Sequence, residues 1–557
     1  MKKFRKAWLL LMMLVMVLSI GLSSSLAATK IDKETGLPYM ADYTKKITFN
    51  IFVRDPGQAP AKTNPVLKKI TQLTGVTINY EFLVGDLNQK IGVMIAGEDY
   101  PDAIFCGDQN TKFIEAGAFI PLETKLKKYP RLSAHYAPYL KYMTAKDGHI
   151  YNLQIYGVNC KPAPIFENGG AGFFMQKAVI EENGYKIPHT IDEYFQMIEN
   201  YKAKHPEIDG VKTIGFEILC DGWRDFCLRN PAQHLMGASN DGDVFVDTKT
   251  YTAMFYQNTD TAKTYYKKLN EEFNKGIIEP ETFTQSYDQY ISRLSTGAVL
   301  GMFDQAWNFN YTAGNVLRSD KKYNRTYISV PIANPGVKDS YLDAPSETID
   351  GINGIGITKK CKNPDRLLAF YEWLMRRDVQ DYLRWGVEGK DWKKAGANDK
   401  VLTPERRALN QDSAKQRDLT GATLVNYSPK PEGLYEDGSP TEPRYSPSEF
   451  KAASSEYDIK FLTALKINYP AQILSPPVKR PAYYPVWAYN IEDGSKAKVV
   501  WEAMKDVCRK AYPRLIMAKP AEFDSLWEKF LEDFKASNPQ AYLDEVNKQI
   551  KARMNIK

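Results

Sequence analysis

Apolar and polar residues alternate from Lys46 to Phe52, with Ile47, Phe49 and Ile51 on one face, the two-residue period of a strand. A loop, VRDPGQAPAKT, follows. Asn64-Pro65 then opens a helix, with Pro at its first position, Val66, Ile70 and Leu73 on one side, and Gly75 past its end. Val76, Ile78, Tyr80 and Phe82 alternate as a second strand. Asp86 caps a helix carrying Leu87, Ile91 and Met94, and Gly97 stops it. Asp102 to Phe105 is a short apolar third strand. The order β-α-β-α-β over 46–105 predicts the start of a doubly wound parallel sheet.

The same two periods continue. Residues 172–177 (GFFMQK) read as a strand. Thr190 and Glu193 have capping-box spacing before a helix whose inner stripe is Tyr194, Met197, Ile198 and Tyr201. Helices are predicted over 260–275, from the Ser286/Gln289 cap through Leu294, and from Asn363-Pro364 with Leu367, Phe370, Tyr371 and Leu374 inward. Strands are predicted at 298–303, 326–331 and 352–357. From Ser495 onward the chain reads as nearly all helix, and Phe523, Trp527, Phe530 and Phe534 form a core stripe. The Pro- and Gly-rich stretch 427–447 reads as a surface loop.

Composition narrows the class. The 557 residues are 43% hydrophobic and 25% charged, ordinary for a globular protein long enough to need no staples. Tyr is abundant, at 35 residues, which suits ligands with an apolar face and polar edges. The net charge is +7, but four bases (Lys2, Lys3, Arg5, Lys6) precede the apolar run Ala7–Ile20 and the small residues Ser25-Leu26-Ala27. That order predicts a signal peptide over 1–27, cleaved after Ala27 or alternatively Ala28. Without those bases the charge falls to +3, which gives no electrostatic reason to expect nucleic-acid binding. The stretch SLAATK has no lipobox Cys, so no lipid anchor is predicted.

Catalytic signatures are missing from the sequence. There is no GxSxG, no P-loop, no HExxH, and no GxGxxG after a strand. The six Cys form no disulfide framework, though Cys220 and Cys227 are close in sequence. The five His never pair at ligand spacing, so no metal or cofactor is expected. The balance moves toward a binding module.

Six segments in order carry a more specific message. They are TGVTINYEFLVGDLNQKIGVMIAGEDYPDAIF (74–105), FIPLE with DGHIY (119–123, 147–151), IPHTIDEYFQMIENYK, GIIEPETFTQSYDQYISRLSTGAVLGMF, GINGIGITKKCKNPDRLLAFYEWL, and RWGVEGKDW. Together they resemble the extracellular solute-binding proteins of ABC-type importers, family 1, and most of all its large sugar-binding branch of Gram-positive bacteria. The resemblance implies a two-lobed α/β fold of the type II periplasmic-binding-protein kind, with a hinge between lobes and a helical C-terminal part. It places lobe 1 at 45–158 and 345–378, and lobe 2 at 165–335 and 379–557. It also implies a secreted, cell-surface protein that is a monomer, holds an oligosaccharide between its lobes, and delivers it to a membrane permease. The alternatives from the residues alone are a secreted carbohydrate-active enzyme, or a binder of a peptide or other solute on the same fold. Many relatives have a calcium loop after the TIDEY helix. Here it reads HPEIDGVKT, with Asp209 alone of the usual oxygen ligands, so no calcium is expected there.

Ligands of open α/β sheets sit outside the strands' carboxyl ends, which points to the loops 53–62, 106–109 and 304–310. Trp307, in DQAWNFN, is the first candidate; the resemblance implies that it stacks on a sugar ring, the alternative being a Trp that covers the inter-lobe core. Trp223, in CDGWRDF, is a second stacking candidate. Asp108 is a hydroxyl acceptor or a cap for the helix at Thr111. Arg54 is a ligand group or a solvated side chain, and Glu167 faces the cleft by analogy or is a plain surface acid. Asp304 and Glu347 are weaker candidates. Trp385, in RWGVEG, reads as core or ligand equally.

Overall fold

The alternating segments at the start of the chain become three parallel strands: β1 (Ile47–Pro56), β2 (Val76–Leu83) and β3 (Ala103–Phe105). The helices between them end as expected. Asn64 caps one through Leu67 N–H, and Gly75 takes the left-handed conformation at its other end. The computed structural model describes residues 30–238, 240–342, 349–351 and 353–555. The leader segment 1–27 and Glu347 lie outside the described residues.

The remaining strands of the two main sheets are β4 (Asn152–Gln154), β5 (Ala171–Gln176), β6 (Ile214–Glu217), β7 (Val299–Gln305), β8 (Tyr327–Val330) and β9 (Gly354–Ile357). The first sheet has the order β2-β1-β3-β9-β4, and the second β8-β5-β7-β6. In each sheet one strand runs against the rest. β9 is antiparallel to β3 and β4, with Ile355 opposite Phe105 and Leu153. β5 is antiparallel to β7 and β8, with Phe174 opposite Met302 and Ser329. Both reversed strands are entered from the other lobe. The chain leaves β4 at its carboxyl end and enters β5 at its amino end; it leaves β8 and enters β9 in the same way. The crossings therefore join the two carboxyl edges, which puts those edges on either side of one cleft.

Each sheet has its own core. Phe49, Ile51, Val53, Phe105, Leu153 and Ile355 belong to the first. Phe173, Met175, Phe216, Leu300 and Ile328 belong to the second. The C-terminal helices Lys496–Met517, Phe523–Ala536 and Gln540–Met554 pack on the second core, with Phe523, Trp527, Phe530 and Phe534 all buried.

Two expectations need correcting. The boundary between lobes at 378 moves to about 427, because Val379, Leu383, Leu424, Val425 and Tyr427 are buried in the first core. Asn64 fastens this segment, its amide donating to the carbonyls of Arg417 and Thr420. The stretch 427–447 is not a surface loop. Tyr427, Ser428, Lys430, Glu432, Ser439 and Thr441 are all buried. It forms a strap that pairs with the first crossing, Asn159 against Glu432 and Lys161 against Leu434. Its prolines remove backbone donors from a buried segment that no sheet could satisfy. A smaller difference concerns the helix Ile191–Lys204: Thr190 Oγ1 accepts Glu193 N–H, but the Glu193 carboxylate takes the His189 N–H instead of closing the box. No helix among the described residues is long and apolar enough to cross a membrane.

Candidate functional site

Strand β7 runs fully buried to Asp304 and then releases the chain at Gln305, so the next residues stand at the carboxyl edge of the second sheet. Trp307 is 41% exposed there. Trp223, in the turn after β6 on the neighbouring strand, is 51% exposed. The two indoles lie nearly parallel, with centroids 5.8 Å apart and planes 12° apart. Phe226 lies 6.2 and 6.3 Å from them and anchors the pair to a buried cluster. Trp307 Nε1 donates to Gln305 Oε1 at 2.7 Å, which fixes the ring. Large exposed rings held in place are what a stacking surface requires.

The support beneath this platform is polar. Asp304 is 0% exposed. It accepts from Tyr290 OH at 2.7 Å, from Gln305 N–H at 2.7 Å, and from the Asn308 amide at 3.0 and 3.2 Å. Cys227 Sγ also donates to it, at 3.3 Å. Burial raises its carboxyl to about 6, against the lowering effect of these donors. Asn308, so held, presents its carbonyl oxygen to Arg224 Nε at 3.0 Å. The Arg224 guanidinium lies over Trp223 at 4.5 Å and over Tyr287 at 4.0 Å.

The first lobe's wall has a different character. Arg54, at the end of β1, donates to the Cys106 carbonyl and to Asp108. Gly107 permits this: its φ is +60°, and a Cβ there would fall 2.2 Å from the guanidinium carbon of Arg54. Asp55 accepts from Tyr427 OH at 3.0 Å. The strap forms the floor. Lys430 is buried over the Tyr156 ring and donates to the Ile155 and Asn426 carbonyls; burial lowers it to about 7. Glu432 accepts from Gly157 N–H at 2.8 Å and lies 3.7 Å from Arg444, which also pairs with Glu442 at 2.8 Å. Tyr311, exposed in the π-helical turn Asn310–Gly314, is an electrostatic neighbour of Arg444 from the opposite wall. Such turns recur at functional sites.

The predicted residues thus separate. Trp307 and Trp223 share one platform, and Arg54 and Asp108 pair with each other on the facing wall. Asp108 is not the cap of the next helix; its carboxylate goes to Arg54 and Gln109. Glu167 is exposed before β5 and lines a small hollow with Ala306, Phe309 and Asn310, at the foot of the Trp307 loop. Two candidates are corrected. Asp304 is sealed in the second lobe with its acceptor positions filled, so it supports the site from below. Trp385 is 0% exposed and packs with Trp392 and Leu402 in a small core of its own, with no ring surface left for a ligand. Glu347 lies outside the described residues. The sequence reading missed Arg224, Asn308, Tyr156, Tyr311, Lys430, Glu432 and Arg444. For Arg224 and Asn308 a signal was available, since each adjoins a Trp already singled out.

No group of three or more His, Cys, Asp or Glu among the described residues is placed to hold a metal ion. Asp209, in the HPEIDGVKT loop, pairs with Lys322 at 2.9 Å. Cys220 and Cys227 are free thiols.

Residues 56–381 match the family model described as bacterial extracellular solute-binding protein. The chain is 24% identical over 343 residues to the fructooligosaccharide ABC transporter substrate-binding protein FusA of Streptococcus pneumoniae, covering 58% of this chain and 60% of that protein. It is 21% identical over 418 residues to the polygalacturonan/rhamnogalacturonan-binding protein YtcQ of Bacillus subtilis, covering 70% of this chain and 75% of that one. The solved structure of S. pneumoniae FusA in complex with kestose superposes with a TM-score of 0.63 at 19% identity, over 92% of this chain and 100% of that one. That likeness establishes the two-lobed fold.

Proposed function

The chain belongs to the bacterial extracellular solute-binding proteins, and on that premise we propose that it is an exported receptor that closes its lobes on an oligosaccharide and passes it to an ABC-type permease. The observation that carries the sugar is the Trp223–Trp307 platform, at the carboxyl edge of the second sheet and facing the first lobe. A pyranose or furanose ring offers C–H groups to an indole and hydroxyls around its rim. Gln305, Asn308 and Arg224 surround the indoles with the matching polar groups. The facing wall supplies Arg54, Asp108 and the strap, and the two crossings between the sheets supply the hinge. The role is capture and not turnover: ligand leaves as it arrived, and the permease supplies the energy.

Kinship does not choose the sugar, since the relatives' names span fructooligosaccharide and polygalacturonan. A thermal-shift screen of the mature protein against a glycan panel tests the reading, because a ligand bound only by the native state raises the melting temperature. At 100 times its Kd a binder adds about 2.7 kcal/mol. Recovery of the labelled glycan unchanged separates binding from hydrolysis. Mass spectrometry of secreted protein tests the export signal: an N-terminus at Ala28 or Thr29 supports it, and retention of Lys2 to Lys6 refutes it.

A further inference from the structure

The guanidinium of Arg224 is a cationic group at the cleft that no carboxylate of the described residues answers. It packs over the rings of Trp223 and Tyr287, 4.5 and 4.0 Å from their centroids. One edge is fixed by the 3.0 Å bond from Nε to Asn308 Oδ1. That acceptor cannot swing away, because the Asn308 amide is bound to both oxygens of buried Asp304 and the Asn308 carbonyl accepts from Tyr287 OH at 2.6 Å. No carboxylate oxygen among the described residues lies within 4.0 Å of the Arg224 nitrogens. The nearby acid Asp221 is turned to Tyr287 N–H at 2.9 Å. The other arginines at the cleft differ. Arg54 is met by Asp108, and Arg444 by Glu432 and Glu442.

A guanidinium so held has its terminal NH₂ pair free, side by side and in a known plane. That is the donor geometry that takes a carboxylate in two parallel bonds. It sits beside the surface on which a sugar ring would stack. Resting on the oligosaccharide reading above, we propose that the ligand is an acidic oligosaccharide, one whose rings carry carboxylates, and that Arg224 selects it by pairing with one of them. The stacking partners give affinity for a sugar face of any kind. The open fork adds the preference between a uronate and its neutral counterpart.

The test is a matched pair. Oligomers of three to five uronate residues, of galacturonate, mannuronate or glucuronate type, are titrated calorimetrically into the protein beside their carboxyl-reduced forms, which keep every ring and linkage. The expected result is at least tenfold tighter binding of one acid oligomer than of its reduced form, with the preference shrinking as salt rises. In Arg224→Gln the ratio should fall toward one, and Arg224→Lys should keep only part of it, since an ammonium supplies no planar fork. Equal binding of acid and reduced forms, or binding confined to neutral glycans with Arg224→Gln unaffected, overturns the proposal and leaves the oligosaccharide reading intact. Failure of every glycan, acid or neutral, overturns both. The wild-type comparison decides alone if the variants fold poorly.

Discussion

The two walls of the cleft are built on opposite plans. On the first lobe each charged group already has an answer within the protein: Arg54 with Asp108, Asp55 with Tyr427, Arg444 with Glu432 and Glu442. On the second lobe two indoles are exposed beside a half-buried guanidinium whose terminal nitrogens meet no carboxylate among the described residues. A ligand meeting the first wall exchanges existing hydrogen bonds for new ones, which nets little. A ligand meeting the second wall covers apolar rings and fills vacant donors without breaking anything. On the proposed reading, then, the second lobe holds the ligand and the first lobe closes over it.

The sharpest way to break this comparison is to contrast tryptophans. Trp385→Ala removes a fully buried ring from a small core with Trp392 and Leu402 and should destabilise the protein by about 3–5 kcal/mol in urea unfolding, with glycan affinity of the folded fraction unchanged. Trp307→Ala should do the reverse. Its ring is partly in solvent already, so the melting temperature should stay near that of the wild type. Calorimetric affinity should fall by about 1–3 kcal/mol on the scale known for rings stacked on aromatic side chains, roughly 5- to 150-fold. A strongly destabilised Trp307→Ala that still binds would return this residue to the core.

These tryptophans also show what was legible in the sequence. Period and caps were enough for seven of the nine strands of the two sheets; β4 and β6, three and four residues long and buried throughout, show no alternation and were missed. Trp307 and Trp223 were legible as separate candidates, since a Trp in a polar loop just past a buried strand has few places to go but the sheet edge; their pairing into one platform was not. Trp385 was ambiguous because its neighbours in space, Trp392 and Leu402, are set by a small two-stranded hairpin that no local period announces. The strap misled for a related reason. Pro and Gly mark irregular backbone, and irregular backbone is usually exposed. Here Lys430 and Glu432 satisfy buried carbonyl and N–H groups of the first crossing, a pairing 275 residues apart in sequence. Asp304 looked like a ligand group because it stands one residue from the turn, yet β7 stays buried through Asp304 and releases the chain only at Gln305.

Asp304 offers a third, smaller test, of the support under the second wall. Its carboxyl is raised to about 6 in the folded protein, from an ordinary value near 3.8. The folded state therefore binds the proton more tightly than the unfolded chain. The stability this contributes is complete below the unfolded value and is lost as pH rises through 6. Asp304→Asn removes that dependence. Between pH 7.5 and pH 5 the wild type should gain about 1 kcal/mol relative to the variant, read as a change in the difference of their urea midpoints. A constant difference across that range would mean that the carboxyl titrates normally and the site beneath Asn308 is wetter than its burial indicates.

The smallest effect belongs to the first wall, and it bears most directly on the comparison. Asp108 is more than half exposed, and its partner Arg54 keeps a second acceptor in the Cys106 carbonyl. An ion pair of this exposure is worth about 0.2–1 kcal/mol and weakens with salt. Asp108→Ala should therefore lower stability by less than about 1 kcal/mol. Its effect on glycan affinity has two parts of opposite sign: a lost hydroxyl acceptor, and an Arg54 fork freed to meet the ligand instead. Their sum should stay within about fivefold, equivalent to 1 kcal/mol, in either direction. Because Arg54 gains an unpaired edge, an acidic oligosaccharide should bind the variant as well as or better than the wild type, while a neutral one should bind it slightly less well. If Asp108→Ala costs more affinity than Trp307→Ala, the ranking of the walls is inverted, and the first lobe is the one that holds the ligand.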